Sequence, residues 1–326
     1  MHSFDSRTFH NRRASGFTLV EMSIVLVIIG LIIGGVLVGR DLISAAQVRA
    51  QVSQIEKYQA AVNTFRGKYG YLPGDIRDPV ASQYGFYSRG TNPGQGDGNG
   101  VIAGPYFNGA NIALGYLVFG GELEMFWADL STAKLVGGGF SQNNILVSPD
   151  PVTQTEVGQF MPAAKIGQGN YIYVWSGGWS GYNSGPPDGV NYFGLASVMG
   201  NPAGWTGIPA LNVTLTVQQA YNIDKKMDDG MPQSGRVTAM FFGNGSVWPA
   251  GGNFDPEAGA LNSSDYDGDT NGPITPQTTN PFYADLNGAA LSDTCYNNGD
   301  TLKPEHYSME INGGAGLNCA LSFQFQ

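Results

Sequence analysis

The chain has 326 residues and a formal net charge of −10, and glycine (48) and proline (18) make up 66 of its residues. That share lies below the roughly 25–30 % of low-complexity disorder, so the composition predicts a folded chain rich in turns and loops. Residues 79–326 carry 7 basic and 20 acidic residues, a net of −13. Such a domain repels nucleic acid and anionic lipid head groups, so no nucleic-acid partner is expected.

The first predicted element is an apolar segment preceded by a basic one. Residues 1–16 have a net charge of +2, and residues 17–39 then hold a single charged side chain, Glu21. These 23 residues span about 35 Å as a helix, which is enough to cross a bilayer. Basic residues ahead of the span predict a cytoplasmic N-terminus and an external acidic domain. A carboxylate in hydrocarbon costs about 2.5–3.5 kcal/mol on insertion scales. The presence of Glu21 in the apolar span therefore needs a structural or functional explanation.

The helical pattern continues past this span. Apolar residues recur at spacings of three, four and seven up to about residue 68, and no proline occurs between residue 17 and Pro73. The first half is apolar all round, which suits lipid or a helix bundle, and the second half is amphipathic, which suits packing on a domain of the same chain.

Glycines within the apolar span form two GxxxG pairs. Gly30 pairs with Gly34, and Gly35 with Gly39. Small residues one turn apart let apolar helices approach closely. The alternative is that glycine is simply common in membrane helices.

From residue 71 the chain predicts an α+β domain. Residues 170–176 and 235–242 predict strands, while residues 124–135 and 216–230 predict helices, the second ending at Gly230. Glycine-rich connections separate these elements, and no internal repeat is found. The architecture expected is a long helix packed on an antiparallel sheet with many loops.

The sequence GFTLVEMSIVLVIIGLIIGGVLVGRDLISAAQ resembles the N-terminus of the type IV pilin and pseudopilin superfamily. The resemblance covers about residues 12–70. It rests on a basic leader ending in Gly16, on Phe17 as the first mature residue, on Glu21 and on an apolar helix that becomes amphipathic. It implies a pilin-like fold, with cleavage between Gly16 and Phe17 by a prepilin peptidase and methylation of the new amine of Phe17.

The resemblance also implies a domain organisation and a function. Residues 1–16 would be the leader, residues 17–70 the long helix with its transmembrane part at 17–39, and residues 71–326 a periplasmic or extracellular domain. The protein would wait in the inner membrane and then join other pilin or pseudopilin subunits at an inner-membrane assembly platform. Glu21 would pair with the positive N-terminus of a neighbouring helix, since a buried charge is tolerable when paired in good geometry.

The role within such a filament is left open by the sequence. The mature chain would have 310 residues and a net charge of −12, a size that favours a minor or specialised subunit of a type IV pilus or a type II secretion pseudopilus. Many members have a proline near the position of Val38, whereas glycines surround it here, so the subclass and the continuity of the helix remain open.

Two other classes of function are alternatives. A filament-tip adhesin or surface-binding module would share the N-terminus and carry a ligand site in residues 71–326. Trp175, Trp179 and Tyr182 could stack on sugars, although aromatic residues of this kind more often pack in a core. A membrane-anchored enzyme is less expected, because His306 is the single histidine after residue 16 and no G-x-S-x-G motif occurs.

Further motifs lie in the domain. The combination YLPGD, GQGDGNG, ELEMFWADLSTAKLVGG and NIDKKMDDGMPQSG is similar to a set of large prepilin-like proteins. Cys295 and Cys319 are expected to pair if the domain is exported, with two buried free thiols as the alternative. The resemblance to pilins with a disulfide-bounded C-terminal region implies that this pair ties down the last strand.

One segment has the pattern of a calcium loop. In DYDGDTNG (265–272), alternating oxygen-bearing side chains can converge on one cation, and the glycine allows the turn. Thr278 stands where an EF-hand has glutamate, so an acidic turn without metal is the alternative. GDGNG, with Asp97 and Asn99, is a weaker candidate, and no other cofactor is predicted. The proposed calcium ligands are Asp265, Asp267, Asp269 and Asn271.

Overall fold

The structure, a computed structural model, describes residues 18–104, 120–141, 152–176, 190–198, 200–201, 211–212, 214–232, 234–239, 241–243, 246–248, 295–297, 306–309, 312–317 and 319–326. Among these residues the helices are α1 (Leu19–Tyr69), α2 (Val80–Gln83), α3 (Gly121–Thr132) and α4 (Val217–Met227). The strands are β1 (Val152–Thr153), β2 (Asn170–Ser176), β3 (Asn191–Val198), β4 (Gly200–Asn201), β5 (Leu211–Asn212), β6 (Val237–Ala239), β7 (Phe241–Gly243), β8 (Ser246–Trp248), β9 (Tyr296–Asn297), β10 (His306–Tyr307) and β11 (Leu321–Gln324). The chain divides into two compact units, residues 1–46 and 47–326.

In the first unit, the described part of α1 is apolar on every side. Each large hydrophobic side chain from Leu19 to Ile43 is at least 46 % exposed. A Cβ added at Gly30, Gly34, Gly35 or Gly39 would meet nothing within 4 Å. By length and composition, α1 is able to cross a membrane. The helix of the single chain is unbroken around Val38.

In the second unit, the remainder of α1 is amphipathic as predicted. Its buried residues include Ile55, Tyr58 and Phe65, which belong to the main hydrophobic core. The Tyr58 ring lies edge-on to Trp127 of α3, with centroids 4.9 Å apart, and 6.3 Å from Phe193 of β3. This stretch of α1 therefore packs against both α3 and the sheet.

Two glutamines attach the same face of α1 to a turn. The Gln54 carboxamide accepts a hydrogen bond from the Lys165 N–H (2.8 Å) and donates one to the Ala163 carbonyl (2.9 Å). Gln51 Oε1 accepts a hydrogen bond from the Ile166 N–H (3.0 Å). Backbone groups of residues 163–166 thus find partners on the face of α1 that packs on the domain.

The main sheet is antiparallel, with strand order β2-β3-β11-β6 and with β5 paired to β3. Register places Phe193 of β3 opposite Phe323 of β11 and opposite Val174 of β2. Gly194 lies opposite Tyr173, and a Cβ at Gly194 would come within 2.0 Å of the Tyr173 ring. Only glycine leaves room for that ring. The α+β prediction, with a long N-terminal helix and an antiparallel sheet, is confirmed.

Predicted element boundaries hold in part. The strand 170–176 is found as predicted, and the helix predicted over 216–230 ends at Met227 because its C-cap, Asp228, is not helical. Thr216 caps α4 and forms a capping box with Gln219.

Two other predicted elements are shifted or divided. The helix expected over 124–135 runs from Gly121 to Thr132, and Lys134 with φ 59° ends it. The strand expected over 235–242 was wrong as a single element, because β6 pairs with β11 whereas β7 pairs with β8. Asn and Gly separate β7 from β8 in the sequence, a pair typical of two-residue hairpins.

A disulfide joins Cys295 to Cys319, and both residues are fully buried. The Cys295 carbonyl accepts the Ser308 N–H (3.0 Å), and Cys319 bridges to Leu215 two residues before β11 begins. The bond therefore links the β9–β10 hairpin to β11, the last strand of the chain, as the resemblance to pilins implied.

Removing this disulfide should lower the free energy of unfolding by about 3 kcal/mol, because the cross-link closes a loop of 24 residues in the unfolded chain. Guanidinium unfolding of the detergent-solubilised chain, followed by tryptophan fluorescence with and without reductant, measures the difference. The double variant Cys295→Ser, Cys319→Ser is the control and should be insensitive to reductant. Equal midpoints for the oxidised and reduced chains would contradict the prediction.

Candidate functional site at the start of the N-terminal helix

The residues expected to carry processing and assembly lie around the start of α1. Gly16 and Phe17 are outside the described residues, and Glu21 lies in the first turn of the helix. The predicted calcium ligands Asp265, Asp267, Asp269 and Asn271 also lie outside the described part of the chain. His306, considered for an enzyme, is half-buried in β10.

Thr18 and Glu21 form a reciprocal cap on α1. The Thr18 N–H and hydroxyl both donate to Glu21 Oε2, at 2.7 Å and 2.8 Å. The Glu21 N–H donates to Thr18 Oγ1 at 3.2 Å, and the Thr18 carbonyl accepts the Met22 N–H. This is the S/T-x-x-E capping box. The spacing T-L-V-E was present in the sequence, yet the sequence reasoning treated Glu21 only as a charge and missed Thr18.

The cap determines what the Glu21 carboxylate can do chemically. It lies in the first turn, where the partial positive charge of the helix dipole favours an anion. A carboxylate is an acceptor when ionised and can bind a cationic N–H donor such as an α-amine. The arrangement is therefore an acceptor for a positively charged group at the end of an apolar helix.

A second polar site, in residues 47–326, brings together three of the motifs noted in the sequence. Asp75 of YLPGD is buried beneath the loop GDGNG. Its Oδ1 accepts the N–H groups of Gly98 (2.7 Å) and Asn99 (3.1 Å), and its Oδ2 accepts the Gly100 N–H (2.8 Å). One side chain thus satisfies three successive backbone donors.

Glu122 of α3 does the same for the flanking residues. Its Oε1 accepts the N–H groups of Gly96 (2.9 Å) and Asp97 (3.2 Å), and its Oε2 accepts the Ala103 N–H (2.8 Å). The Glu122 side chain is fully buried. The sequence reasoning missed both Asp75 and Glu122 as functional groups, although both lie inside the quoted motifs.

A buried ion pair holds this region to α3. Arg89 Nη2 lies 2.6 Å from Asp129 Oδ2, and the same oxygen accepts the Gly74 N–H at 2.7 Å. Gly74 has φ +84°, and a Cβ there would come within 2.4 Å of the Glu122 carbonyl, so the turn requires glycine. YLPGD is therefore anchored to α3 through the Gly74 backbone, whereas Asp75 anchors it to the GDGNG loop.

The carboxylates of this region lie close enough together to hold a cation, and in the single chain their oxygens accept hydrogen bonds from the loop. Asp75, Asp97 and Glu122 each place one oxygen within 4.8 Å of the others. All four oxygens of Asp75 and Glu122 accept backbone N–H groups, and Asp97 accepts the Asn99 N–H and side-chain amide, each at 3.0 Å. The described contacts assign these groups to the loop. Calcium at Asp97 and Asn99 stays a prediction.

Burial raises the pKa of these carboxyl groups. The pKa of Asp75 rises to about 7, mainly because of burial and with a contribution from the Asp97 charge. The pKa of Glu122 rises well above its usual range through burial and the charge of Asp75. Burial also raises the pKa of Asp129 despite the neighbouring Arg89.

A related arrangement stabilises the NIDKKMDDGMPQSG motif. Asp224 of α4 accepts the Tyr307 hydroxyl at 2.8 Å and the Gly230 N–H at 3.0 Å. Asp228 accepts the N–H groups of Arg236 and Val237. Burial raises the pKa of Asp224 to about 7. Because Tyr307 belongs to the hairpin that carries Cys295, this carboxylate ties α4 to the disulfide region.

These pKa directions predict an unusual pH dependence of stability. A carboxyl group with a raised folded-state pKa contributes stability that is present below its unfolded pKa of about 4 and is lost as pH rises through the folded value. Asp75, Glu122, Asp129 and Asp224 all shift in this direction. The free energy of unfolding should therefore fall between pH 5 and pH 8, by an amount on the order of a few kcal/mol.

Denaturant titrations of the detergent-solubilised chain at pH 5, 6, 7 and 8 measure this slope. Asp97→Asn should make the slope shallower, because the Asp97 charge contributes to the raised pKa of both Asp75 and Glu122. Glu56→Gln, a change at an exposed carboxylate of α1, is the matched control and should leave the slope unchanged. Stability that is constant or rises toward pH 8 would show that these groups are ionised in the folded chain without penalty.

Comparison with known proteins bears on the start of α1. Residues 11–37 match the family model described as the prokaryotic N-terminal methylation motif. No curated protein and no solved structure matches the chain. The matched segment contains Gly16, Phe17, Thr18 and Glu21, and the motif is that of pilin-type structural proteins rather than of enzymes. The chain thus carries a prokaryotic N-terminal methylation motif, which supports a prepilin similar to the type IV pilins and pseudopilins.

Proposed function

We propose that the protein is a minor or specialised subunit of a type IV pilus or type II secretion pseudopilus filament. The methylation motif at residues 11–37, with Glu21 in the first turn of an exposed apolar helix, is the observation on which this proposal rests. A prepilin peptidase would cut after Gly16, remove the basic leader and leave a methylated amine on Phe17. The subunit would wait in the inner membrane and then enter a periplasmic or extracellular filament.

Two features of the first unit support assembly through this helix. The large hydrophobic side chains from Leu19 to Ile43 are exposed, so they need a bilayer or neighbouring helices around them. Gly30, Gly34, Gly35 and Gly39 have open space around them and could admit a neighbouring backbone closely. Within the filament, Glu21 would pair with the N-terminal amine of another subunit and so determine the axial register.

The adhesin alternative gains little from the described residues. Trp175 is 4 % exposed and stacks on Tyr192 with ring centroids 4.4 Å apart, so it packs in the core. Trp179 and Tyr182 lie outside the described residues.

Mass spectrometry of the native protein tests the processing step. The expected N-terminus is a methylated Phe17, which gives a mature chain of 310 residues. An intact Met1, or a terminus at another position without methylation, would contradict the prepilin proposal.

Glu21→Ala should leave processing intact and abolish or strongly reduce incorporation into filaments, because a buried amine would lose its charged partner. Sheared filaments probed for this chain measure incorporation. Glu56→Ala is the matched control, since Glu56 is an exposed carboxylate on the same helix, and it should assemble normally. Normal filaments from Glu21→Ala would refute the pairing.

Calcium binding by Asp265, Asp267, Asp269 and Asn271 is a separate proposal that rests on the sequence pattern alone. Millimolar calcium should raise the melting temperature of the chain, and Asp267→Ala should remove that rise. Asp285→Ala, an acidic residue beyond the motif, is the control that should retain it. A melting temperature that calcium leaves unchanged would end the proposal.

A further inference from the structure

Three turns of the domain contain a chemically labile pair, an asparagine or aspartate (Asx) followed by glycine. The pairs are Asp97–Gly98, Asn99–Gly100 and Asp229–Gly230. In such a pair the glycine nitrogen can attack the Asx Cγ and close a cyclic succinimide, because glycine has no side chain to hinder the approach. The Asn99 and Asp229 side chains are exposed, so burial does not keep water away from them.

The products of this reaction differ between the two Asx types. At asparagine, a bond forms from the glycine nitrogen to Cγ, the bond from Cγ to Nδ2 breaks, and ammonia leaves with the proton of the glycine nitrogen. Water then opens the ring to aspartate or isoaspartate. At aspartate, water is the leaving group and also the group that reopens the ring, so the product is isoaspartate with unchanged composition.

The turns themselves require the glycines. Gly98, Gly100 and Gly230 have φ of 72°, 87° and 78°, a region that residues with a Cβ rarely adopt. Replacing the glycine would therefore strain the turn, and the labile pair stays in the sequence.

Each of the three glycine nitrogens donates its proton to a buried carboxylate. The Gly98 and Gly100 N–H groups donate to Asp75 Oδ1 (2.7 Å) and Oδ2 (2.8 Å), and the Gly230 N–H donates to Asp224 Oδ1 (3.0 Å). Asp75 is 1 % exposed and Asp224 is fully buried. A hydrogen bond shielded from water in this way is strengthened by the low local dielectric.

The Asx side chains that would be attacked are held as well. Asp97 Oδ1 accepts the Asn99 N–H at 3.0 Å, Asn99 Oδ1 accepts the Val101 N–H at 2.7 Å, and Asp229 Oδ1 accepts the Met231 N–H at 2.8 Å. Succinimide formation would have to break the bond of the glycine nitrogen and the bond of the Asx side chain together.

We propose that Asp75 and Asp224 are protecting residues, which prevent succinimide formation at the three Asx–Gly pairs by holding the attacking glycine nitrogens. This inference does not depend on the proposed filament function. The consequence of failure is clearest at Asn99, whose side-chain amide donates to Asp97 Oδ2 at 3.0 Å. Deamidation would replace that donor with a second carboxylate, and two like charges so close are unfavourable.

The first experiment compares the detergent-solubilised full chain with the same chain unfolded in guanidinium. Both are incubated at mildly alkaline pH, and peptide mass spectrometry follows deamidation and isoaspartate at each site. In guanidinium, Asn99 should convert about as fast as Asn287, which also precedes a glycine. In the folded chain, Asn99 should convert at least about a hundred-fold more slowly, as for a site that reacts only when its turn opens.

Three substitutions then separate the protecting bonds from general loosening. Asp75→Ala should speed conversion of Asn99 and Asp97 about ten-fold, the factor expected for a lost hydrogen bond to a charged group, and leave Asp229 unchanged. Asp224→Ala should do the reverse.

Glu122→Ala is the matched control for Asp75→Ala. It removes a buried carboxylate bound to the same loop but leaves the Gly98 and Gly100 nitrogens on Asp75. Conversion at Asn99 should then stay within about two-fold of the unmodified chain, because no bond to an attacking nitrogen is lost. Equal acceleration by Glu122→Ala and Asp75→Ala would overturn the proposal.

A measurement on the unmodified chain decides the question even where a variant does not fold. In rising sub-denaturing guanidinium, amide hydrogen exchange at Gly100 and conversion of Asn99 should increase in parallel, because both require release of the same N–H group. The proposal is also overturned if Asn99 converts while the Gly100 amide remains protected from exchange, or if the folded chain converts as fast as the unfolded one.

Discussion

The main core depends on one constraint, which is that the second half of α1 must cover the sheet. Ile55, Tyr58 and Phe65 are buried there, and Tyr58 contacts aromatic rings of both α3 and β3. Most strands are too short to enclose a core by themselves, and β2 with β3 forms the one long pair among the described strands. The helix that carries the methylation motif is therefore also a structural part of the domain. Its first half is exposed and apolar, whereas its second half packs in the core.

Buried carboxylates supply hydrogen-bond acceptors for the backbone N–H groups of the many turns and loops. Residues outside regular ladders still have backbone N–H groups that must find acceptors. Asp75 and Glu122 together accept six such groups from residues 96–103, and Asp224 and Asp228 accept three more from residues 230–237. Placing anions inside the domain raises their pKa values, so the acids that organise the loops also make stability depend on pH.

Much of the fold could be predicted from local pattern, and the failures have physical causes. Strand 170–176 was predicted because its apolar run is bounded by turn residues, and α4 because one of its faces is apolar. The strand over 235–242 failed because pairing partners decide where a strand ends, and β6 and β7 pair with different neighbours.

Among the polar residues of the two sites, those with a local role could be predicted from the sequence, and those whose role depends on distant residues could not. Glu21 was found because a lone charge in an apolar span is conspicuous, and Thr18 could have been found from the T-x-x-E spacing. Asp75 and Glu122 could not have been found in this way, because each binds a loop that lies about 20 residues away in the sequence. A single sequence does not show which acidic side chains a fold will bury.

The free-energy cost of the Glu21 carboxylate in an apolar helix is offset differently in the single chain and in a filament. Within the single chain, the Thr18 N–H and hydroxyl supply hydrogen bonds, and the helix dipole favours the negative charge. These interactions lower the cost of the carboxylate, and among the described residues they add no full positive charge to it. In a filament the N-terminal amine of another subunit would add that charge to the same side chain. A carboxylate that was fully satisfied alone would gain little from assembly. The Thr18 hydrogen bonds therefore satisfy the Glu21 carboxylate in part, and the pairing proposed for the filament would supply the positive charge that they do not.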